Sequence, residues 1–179
     1  MSKYPKKPVI RLANHSDACD IALLSRNEIE YGLPWAWRPD AVATAIANSN
    51  MNVAVATSTA RNPLAAEIKE LNLSSDTTQR LCGFAIVYFG RTHAHINLLA
   101  VNQSWRRCGV GRELLEWQVS SARTAGIRYL TLEVRNSNKA AQAFYQDCGF
   151  EVRETVRNYY NNREDALRLA RKLEVQHES

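Results

Sequence analysis

The stretch Trp105-Arg106-Arg107-Cys108-Gly109-Val110-Gly111-Arg112 decides the fold. Just before it, His95-Ile96-Asn97-Leu98-Leu99-Ala100-Val101 is a largely apolar run that reads as a strand. Just after it, Leu114, Leu115, Val119 and Ala122 recur at helical spacing. A strand therefore ends, a tight loop with two glycines turns, and a helix begins. Amide N–H groups at such a helix start have no partner inside the helix and favour an anion. Gly109 and Gly111 let the backbone approach that ligand closely. Arg106, Arg107 and Arg112 add positive charge, so the expected ligand is a pyrophosphate.

Two familiar pyrophosphate loops do not fit. A Walker loop ends in Gly-Lys-Ser/Thr, whereas Gly111 is followed by Arg112-Glu113. A dinucleotide fingerprint needs a third glycine, and Leu114 stands there. The pattern present, Arg-Arg-x-Gly-x-Gly between a strand and a helix, resembles the coenzyme A loop of the GNAT superfamily of N-acetyltransferases. A basic helix start with no ligand is the alternative for the loop taken alone.

A second motif points the same way. Leu130-Thr131-Leu132-Glu133-Val134-Arg135 leads through Asn138 into Lys139-Ala140-Ala141-Gln142-Ala143-Phe144-Tyr145, and Cys148-Gly149-Phe150 follows. Asn138, Ala141 and Tyr145 lie three and four residues apart, so a helix places them on one face. Ala141 keeps that face thin. The resemblance implies that Asn138 bonds an amide of the pantetheine arm and that Tyr145 reaches its sulfur. From about Asn97 to Ala166 the sequence is most similar to bacterial ribosomal-protein N-terminal alanine acetyltransferases. Arg157-Asn158-Tyr159-Tyr160 and Arg163-Glu164-Asp165-Ala166 belong to that likeness, and Leu33-Pro34-Trp35 faintly echoes its substrate loop. Thr57 to Gln79 is longer than the hairpin turn of those enzymes.

The chain has 179 residues and a net charge of +5, which suits a single domain with one core. Basic residues are interleaved with acids rather than gathered on one face, so nucleic acid is not an expected partner. No apolar run is long enough to span a membrane, and the basic N-terminus lacks the apolar stretch of a signal peptide. Cys19, Cys82, Cys108 and Cys148 show no metal-ligand spacing. Free thiols in a cytoplasmic protein, monomeric or homodimeric and without a metal, are expected.

Along the chain, residues 1–8 are expected to be flexible. Val9 to Leu12 reads as a strand, and Ser16 or Asp17 can start a helix running through Ile29. A Pro- and Trp-rich loop covers Gly32 to Pro39, where Pro39-Asp40 opens a second helix. Strands follow at 52–56, 82–88 and 93–101, with a polar insertion at Thr57–Gln79 holding a short helix at Leu64–Leu71. A helix over 109–125, a strand over 127–135, a helix over 137–147 and strands over 150–157 and Glu164–Leu173 complete the pattern. The order is that of an α/β sandwich. The resemblance refines it to a mixed central sheet flanked by helices. In that fold the parallel fourth and fifth strands, here 93–101 and 128–135, splay apart to admit acetyl-coenzyme A.

Acetyl transfer to an amine needs a free amine, a polarised thioester carbonyl and a proton for the leaving thiolate. Backbone amides at Leu99, Ala100 and Val101, beside the splay, are placed to bond the cofactor. With Arg106 through Arg112 (Cys108 and Val110 included), Asn138, Ala141 and Tyr145, they form the expected cofactor site. Tyr145 is the candidate acid, since a phenol near pKa ~10 is protonated at neutral pH. Glu133 alternates with Leu132 and Val134 and so points away from their face; the resemblance implies that it is the base, relayed by water, the alternative being a strand-end charge paired with an arginine. His93 and His95 are rivals, because an imidazole at ~6.5 is better tuned than a carboxylate at ~4.3. Their expected place is the open face before the splay. The resemblance implies acceptor contacts at Tyr159 and Tyr160; Asn97 and Trp35 are the other expected contacts, with Trp35 and Trp37 readable either as pocket walls or as core anchors. The acceptor is an amine, either a protein N-terminus or a small molecule. A coenzyme A binding module without catalysis is the alternative of another class.

Overall fold

The computed structural model describes residues 7–59, 79–160 and 164–174. Seven strands form one sheet in the order β1-β2-β3-β4-β5-β7-β6. They are β1 Val9–Leu12, β2 Met51–Thr59, β3 Gln79–Phe89, β4 His93–Val101, β5 Tyr129–Arg135, β6 Glu151–Tyr160 and β7 Glu164–Lys172. The flanking helices are α1 Ala18–Glu28, α2 Pro39–Ala47, α3 Val110–Thr124 and α4 Lys139–Asp147.

One feature of this sheet makes the site. β4 and β5 are parallel neighbours, yet their ladder holds only His93↔Tyr129, Ala94↔Leu130 and His95↔Thr131. Beyond that point β4 stays with β3 as far as Val101↔Gly83. β5 stays with β7 as far as Arg135↔Ala166. The two strands therefore part, and 96–101 faces 132–135 across an open wedge. The register shifts between Ile86↔Leu98 and Val87↔Ile96, which makes Asn97 an extra residue in β4. Such a bulge bends its strand. The mixed sheet with splayed β4 and β5 is the architecture expected from the sequence.

Strand alternation divides the core. Val53 and Val55 of β2 pack with Phe84, Ile86, Leu98 and Ala100 against Ile21 and Ala22 of α1 and Val42 of α2. Ala54 and Ala56, on the other face, meet Val110 and Leu114 of α3. Leu115, Val119 and Ala122 of α3 join Tyr145 of α4 over Leu130, Leu132, Val134 and Leu169. Gly83 permits this close approach: a Cβ there would lie 2.7 Å from the Ala100 carbonyl oxygen and 3.1 Å from Leu114 Cδ1.

Several expected boundaries move. β2 continues into the polar segment, where Thr57 and Ser58 pair with Leu81 and Arg80 and are buried. Residues 60–78, with the expected helix at Leu64–Leu71, lie outside the described residues. The first helical turn starts earlier than Ser16. Asn14 and Asp17 form a capping box around a 3-10 turn, His15–Asp17, that runs into α1. β6 reaches Tyr160 rather than 157. The Arg-Leu-Ala-Arg-Lys ending of β7 would suit a helix by propensity, but pairing with β5 on one side and β6 on the other holds it extended. Of the stretch expected to be flexible, residues 1–6 are outside the described residues, and Lys7 pairs with Glu113 at 2.8 Å. No helix among the described residues is long and apolar enough to cross a membrane.

Candidate active site

Two clefts meet in the wedge. The first, about 640 Å³, is built on the glycine loop. The chain leaves β4 through a 3-10 turn, Gln103–Trp105, capped by Asn102, whose side-chain oxygen accepts the Ser104 N–H. Arg107 and Gly109 are left-handed, at φ 61° and 83°. Gly109 is the N-cap of α3 and offers no side-chain acceptor, so the first amides of the helix have no cap. A Cβ at Gly109 would meet nothing within 4 Å. Open space, uncapped amides and three arginines are what a pyrophosphate requires. Leu99, Ala100, Val101, Arg106, Arg107, Gly109, Val110, Gly111 and Arg112 all line this cleft.

Three details differ from the sequence reading. Cys108 does not line the cleft; its thiol is exposed and donates to the Arg106 carbonyl oxygen at 3.4 Å. The left-handed turn at Arg107 carries it outward. The Arg106 guanidinium is held by the Glu28 carboxylate at the end of α1, so part of its charge is already matched. Trp105 also lines the cleft, although its sequence context marks it only as the lead-in to the loop.

The floor is α4. Asn138, Ala141 and Tyr145 line both clefts, as their shared helix face requires. Asn138 is the N-cap, and its side-chain oxygen accepts the Ala141 N–H at 3.0 Å. Its amide N–H groups have no partner among these bonds and are available to a carbonyl of a ligand. Tyr145 is buried, edge-on to Phe144 and Phe150 with centroids 5.0 and 5.6 Å away. Burial, with Cys148 and Tyr160 nearby, pushes its phenol above the ordinary range. It therefore keeps its proton at any physiological pH.

The second cleft, about 760 Å³, contains the titratable groups. His95 occupies the last rung of the parallel ladder and Glu133 lies two residues beyond Thr131, so both point the same way. His95 Nε2 is 3.1 Å from Glu133 Oε2. The Arg168 Nε–H donates to Glu133 Oε1 at 2.7 Å, and the Tyr159 hydroxyl donates to Oε2 at 3.4 Å. These bonds, His95 first, outweigh burial and bring the Glu133 carboxyl down to about 2. On the other side of the ring, His95 Nδ1 is 3.0 Å from Thr131 Oγ1. That hydroxyl lies 3.3 Å from the Ala94 carbonyl oxygen. It can donate to Ala94 while accepting an Nδ1–H, or rotate and donate to Nδ1. The protonated imidazole is thus bonded at both nitrogens, and Nδ1–H can keep its partner when Nε2 is without a proton.

The two rival bases separate here. His95 joins Glu133 rather than lying on an open face. His93 lies outside both clefts, stacked on Tyr129 at 5.2 Å and 14°, with its Nδ1 2.7 Å from Thr92 Oγ1.

The remaining walls of this second cleft come from three places. Asn97 projects from the β4 bulge. Tyr159 and Tyr160 stand at the end of β6, edge-on at 4.9 Å, with the Arg135 guanidinium 4.5 Å over the Tyr160 ring. Burial raises the Tyr160 phenol to about 12. The third wall is the loop after α1, through Tyr31, Leu33, Pro34, Ala36 and Trp37. Trp35 does not line the cleft. Its ring packs into the α1–α2 core and its indole N–H is buried without a partner. Both tryptophans of this irregular loop pack on the same core, and only Trp37 also reaches the cleft. Glu28 and Ile29, shared by both clefts, and Glu30 carried no sequence motif and were not expected.

Comparison with known proteins agrees with this geometry. The profile of the Acetyltransferase (GNAT) family matches residues 71–150. A [ribosomal protein bS18]-alanine N-acetyltransferase of Salmonella typhimurium is 39% identical over 103 residues, which is 56% of this chain and 70% of that protein. The crystal structure of the ribosomal-protein-S18-alanine N-acetyltransferase from Escherichia coli superposes with a TM-score of 0.73 at 24% identity, over 96% of this chain and 97% of that one. The Arabidopsis thaliana NAA60 structure in complex with acetyl-CoA superposes with a TM-score of 0.75 at 15% identity, over 92% and 98%. A parallel pair that splays at His95, a glycine loop at its mouth and a relative of this identity and coverage lead to one conclusion: the chain belongs to the GNAT family of acetyltransferases and is an N-acetyltransferase.

Proposed function

We propose that this enzyme acetylates the α-amine of a protein N-terminus by direct transfer from acetyl-coenzyme A. The observation that carries the reading is the His95–Glu133 pair on the acceptor side of the wedge, with protonated Tyr145 on its floor. When bound, acetyl-coenzyme A supplies a thioester whose carbonyl carbon the amine attacks and whose sulfur leaves as a thiolate. The loop amides from Arg107 to Arg112 hold the pyrophosphate. Those β4 amides over Leu99 to Val101 that point to the wedge rather than to β3, every second one along the strand, orient the arm and polarise the carbonyl. Asn138 donates to a carbonyl of the arm.

His95 takes the amine's proton on Nε2 through one water, from the tautomer whose Nδ1–H donates to Thr131, and Glu133 Oε2 then accepts the new Nε2–H. Glu133, held ionised by Arg168 and His95, orients the ring and stabilises the imidazolium. At about 2 the carboxylate by itself is a poor proton acceptor for an amine. Thr131 holds that tautomer by accepting the Nδ1–H while its own hydroxyl donates to the Ala94 carbonyl oxygen. Tyr145 gives its proton to the leaving sulfur. An α-amine, near ~8, is far easier to deprotonate than a lysine near ~10.4, so it asks less of any base. The relatives named for ribosomal-protein alanine N-acetylation support this choice of amine.

A peptide beginning with a free small residue and containing one internal lysine tests the reading. Mass spectrometry of the product should place the acetyl group on the α-amine. The same peptide already blocked at its N-terminus should remain unmodified. Acetylation of lysine alone, or of small polyamines with no peptide turnover, would reject the N-terminal assignment.

A further inference from the structure

We propose that Glu30 is a positioning residue that shapes the acceptor wall, an inference resting on the reading that the cleft at His95 and Glu133 receives the amine. Glu30 is only 4% exposed. Among the described residues, no lysine, arginine or histidine forms an ion pair with its carboxylate. A buried carboxylate without a cation is costly unless its oxygens are well bonded. Here they are bonded by one short segment of chain. Oε1 accepts the backbone N–H of Ala36 at 2.7 Å and of Trp37 at 3.2 Å. Oε2 accepts the Ser25 hydroxyl at 2.9 Å. Its own carbonyl accepts the Leu33 N–H at 2.9 Å, and Arg26 Nη1 crosses to the Leu33 carbonyl oxygen at 2.7 Å.

The carboxylate thus sits inside the loop that follows α1 and fastens both of its ends. The residues it gathers, Tyr31, Leu33, Pro34, Ala36 and Trp37, are those that face the cleft. Nothing else in the loop is regular, and α2 does not begin until Pro39. Bonds from an ionised acceptor to backbone amides are stronger than neutral ones. Removing the acceptor would leave the Ala36 and Trp37 amides unpaired. The loop would then lose its register, and the wall of the cleft with it. The cofactor loop at 106–112 does not touch Glu30 and would keep its shape.

Two variants test this. Glu30→Ala removes the acceptor. Glu30→Gln keeps an oxygen for the two amides, while its NH2 meets the Ser25 oxygen, which can turn from donor to acceptor. In Glu30→Ala the acceptor-peptide KM should rise roughly tenfold or more, with kcat less affected and the acetyl-coenzyme A Kd unchanged. Glu30→Gln should restore KM to near the wild-type value. Hydrogen exchange at the Ala36 and Trp37 amides should speed up in Glu30→Ala and stay slow in Glu30→Gln. That readout does not depend on the acceptor, so it separates failure of this proposal from failure of the N-terminal reading. The proposal is overturned if exchange at both amides is unchanged in Glu30→Ala. It is also overturned if Glu30→Gln is as damaged as Glu30→Ala, because charge rather than positioning would then be at work. Should Glu30→Ala fail to fold, Glu30→Gln with slow amides and a normal KM sustains the proposal, and fast amides reject it.

Discussion

The two clefts that meet at Tyr145 are built on different principles. The cofactor side is mostly backbone: a loop of eight residues, a left-handed glycine and the uncapped start of α3. Its loop and the helix start follow one another along the chain, and the charged side chains of that loop are all basic. The acceptor side is mostly side chains, brought together from β4, β5, β6, β7 and the loop after α1. Its central group, Glu133, is bonded by His95, Arg168 and Tyr159, residues 26 to 38 positions away in sequence. A site made of backbone tolerates many side chains around it and binds one invariant group. A site made of converging side chains can be altered one residue at a time. The first arrangement suits a common co-substrate, and the second suits a choice among acceptors.

The comparison predicts effects of different kind and size. The largest concerns the residue common to both sides. Tyr145→Phe keeps the ring in its pocket and removes only the hydroxyl. Turnover should fall by roughly 10²-fold or more, the usual worth of a general acid, with the acetyl-coenzyme A Kd unchanged. Equal turnover in the two proteins would reduce Tyr145 to a packing residue.

On the backbone side, Gly109→Val places a branched residue at φ 83° and fills the open space beside it. Cofactor affinity measured by calorimetry should weaken at least about tenfold, while far-UV circular dichroism stays unchanged. Preserved affinity would mean that the loop does not hold the pyrophosphate. Gly111 is a poorer probe of the same point, because a Cβ there would meet Val101 and Phe144 at 3.4 and 3.5 Å.

On the side-chain side, the bonds at Glu133 make a pH signature. Its carboxyl is lowered to about 2 in the folded protein, against ~4.3 in an unfolded chain. A lowered folded value means the carboxylate stabilises the fold above about pH 4.3, and this contribution disappears as the pH falls toward 2. Urea midpoints of the wild type and Glu133→Gln should therefore differ at neutral pH and converge near pH 2. A constant gap across that range would show that the ion pairs to His95 and Arg168 contribute nothing to the difference.

The smallest effect separates the two tryptophans. Trp35→Phe removes an indole N–H that has no partner and keeps an aromatic ring in the core. Acceptor KM should change by less than about twofold. Trp37→Ala, which strips the cleft wall, should raise it clearly more. The reverse order would put Trp35 back among the acceptor contacts.

The same contrast explains what the sequence could reveal. The glycine loop and the α4 face were legible because each is local: a pair of glycines, a spacing or a period. The splayed strand pair and the part assigned to Glu133 came from the resemblance, alternation with Leu132 and Val134 giving only the side to which Glu133 points. Its coupling to His95 was not, because that depends on the parallel register stopping at His95↔Thr131, which no local pattern records. Trp35 was misplaced because a proline-rich loop has no period from which to read facing. Glu30 was missed because a lone acid beside an apolar loop looks like a surface residue until its backbone partners are seen. Asn14 was passed over for Ser16 because both can cap, and the choice rests on Asp17 reaching back to the Asn14 N–H at 2.7 Å.

The proton-accepting pair is the central claim, and a double-mutant cycle on His95 and Glu133 tests it most directly. Single-turnover rates with saturating acetyl-coenzyme A and a free N-terminal peptide would be compared for His95→Ala, Glu133→Gln and the double variant. If the two act as one unit, each single change should lower the rate by roughly 10- to 100-fold, and the double variant should be little worse than the poorer single. Losses that multiply in the double variant, or a His95→Ala protein with wild-type rate and pH profile, would contradict the shared role.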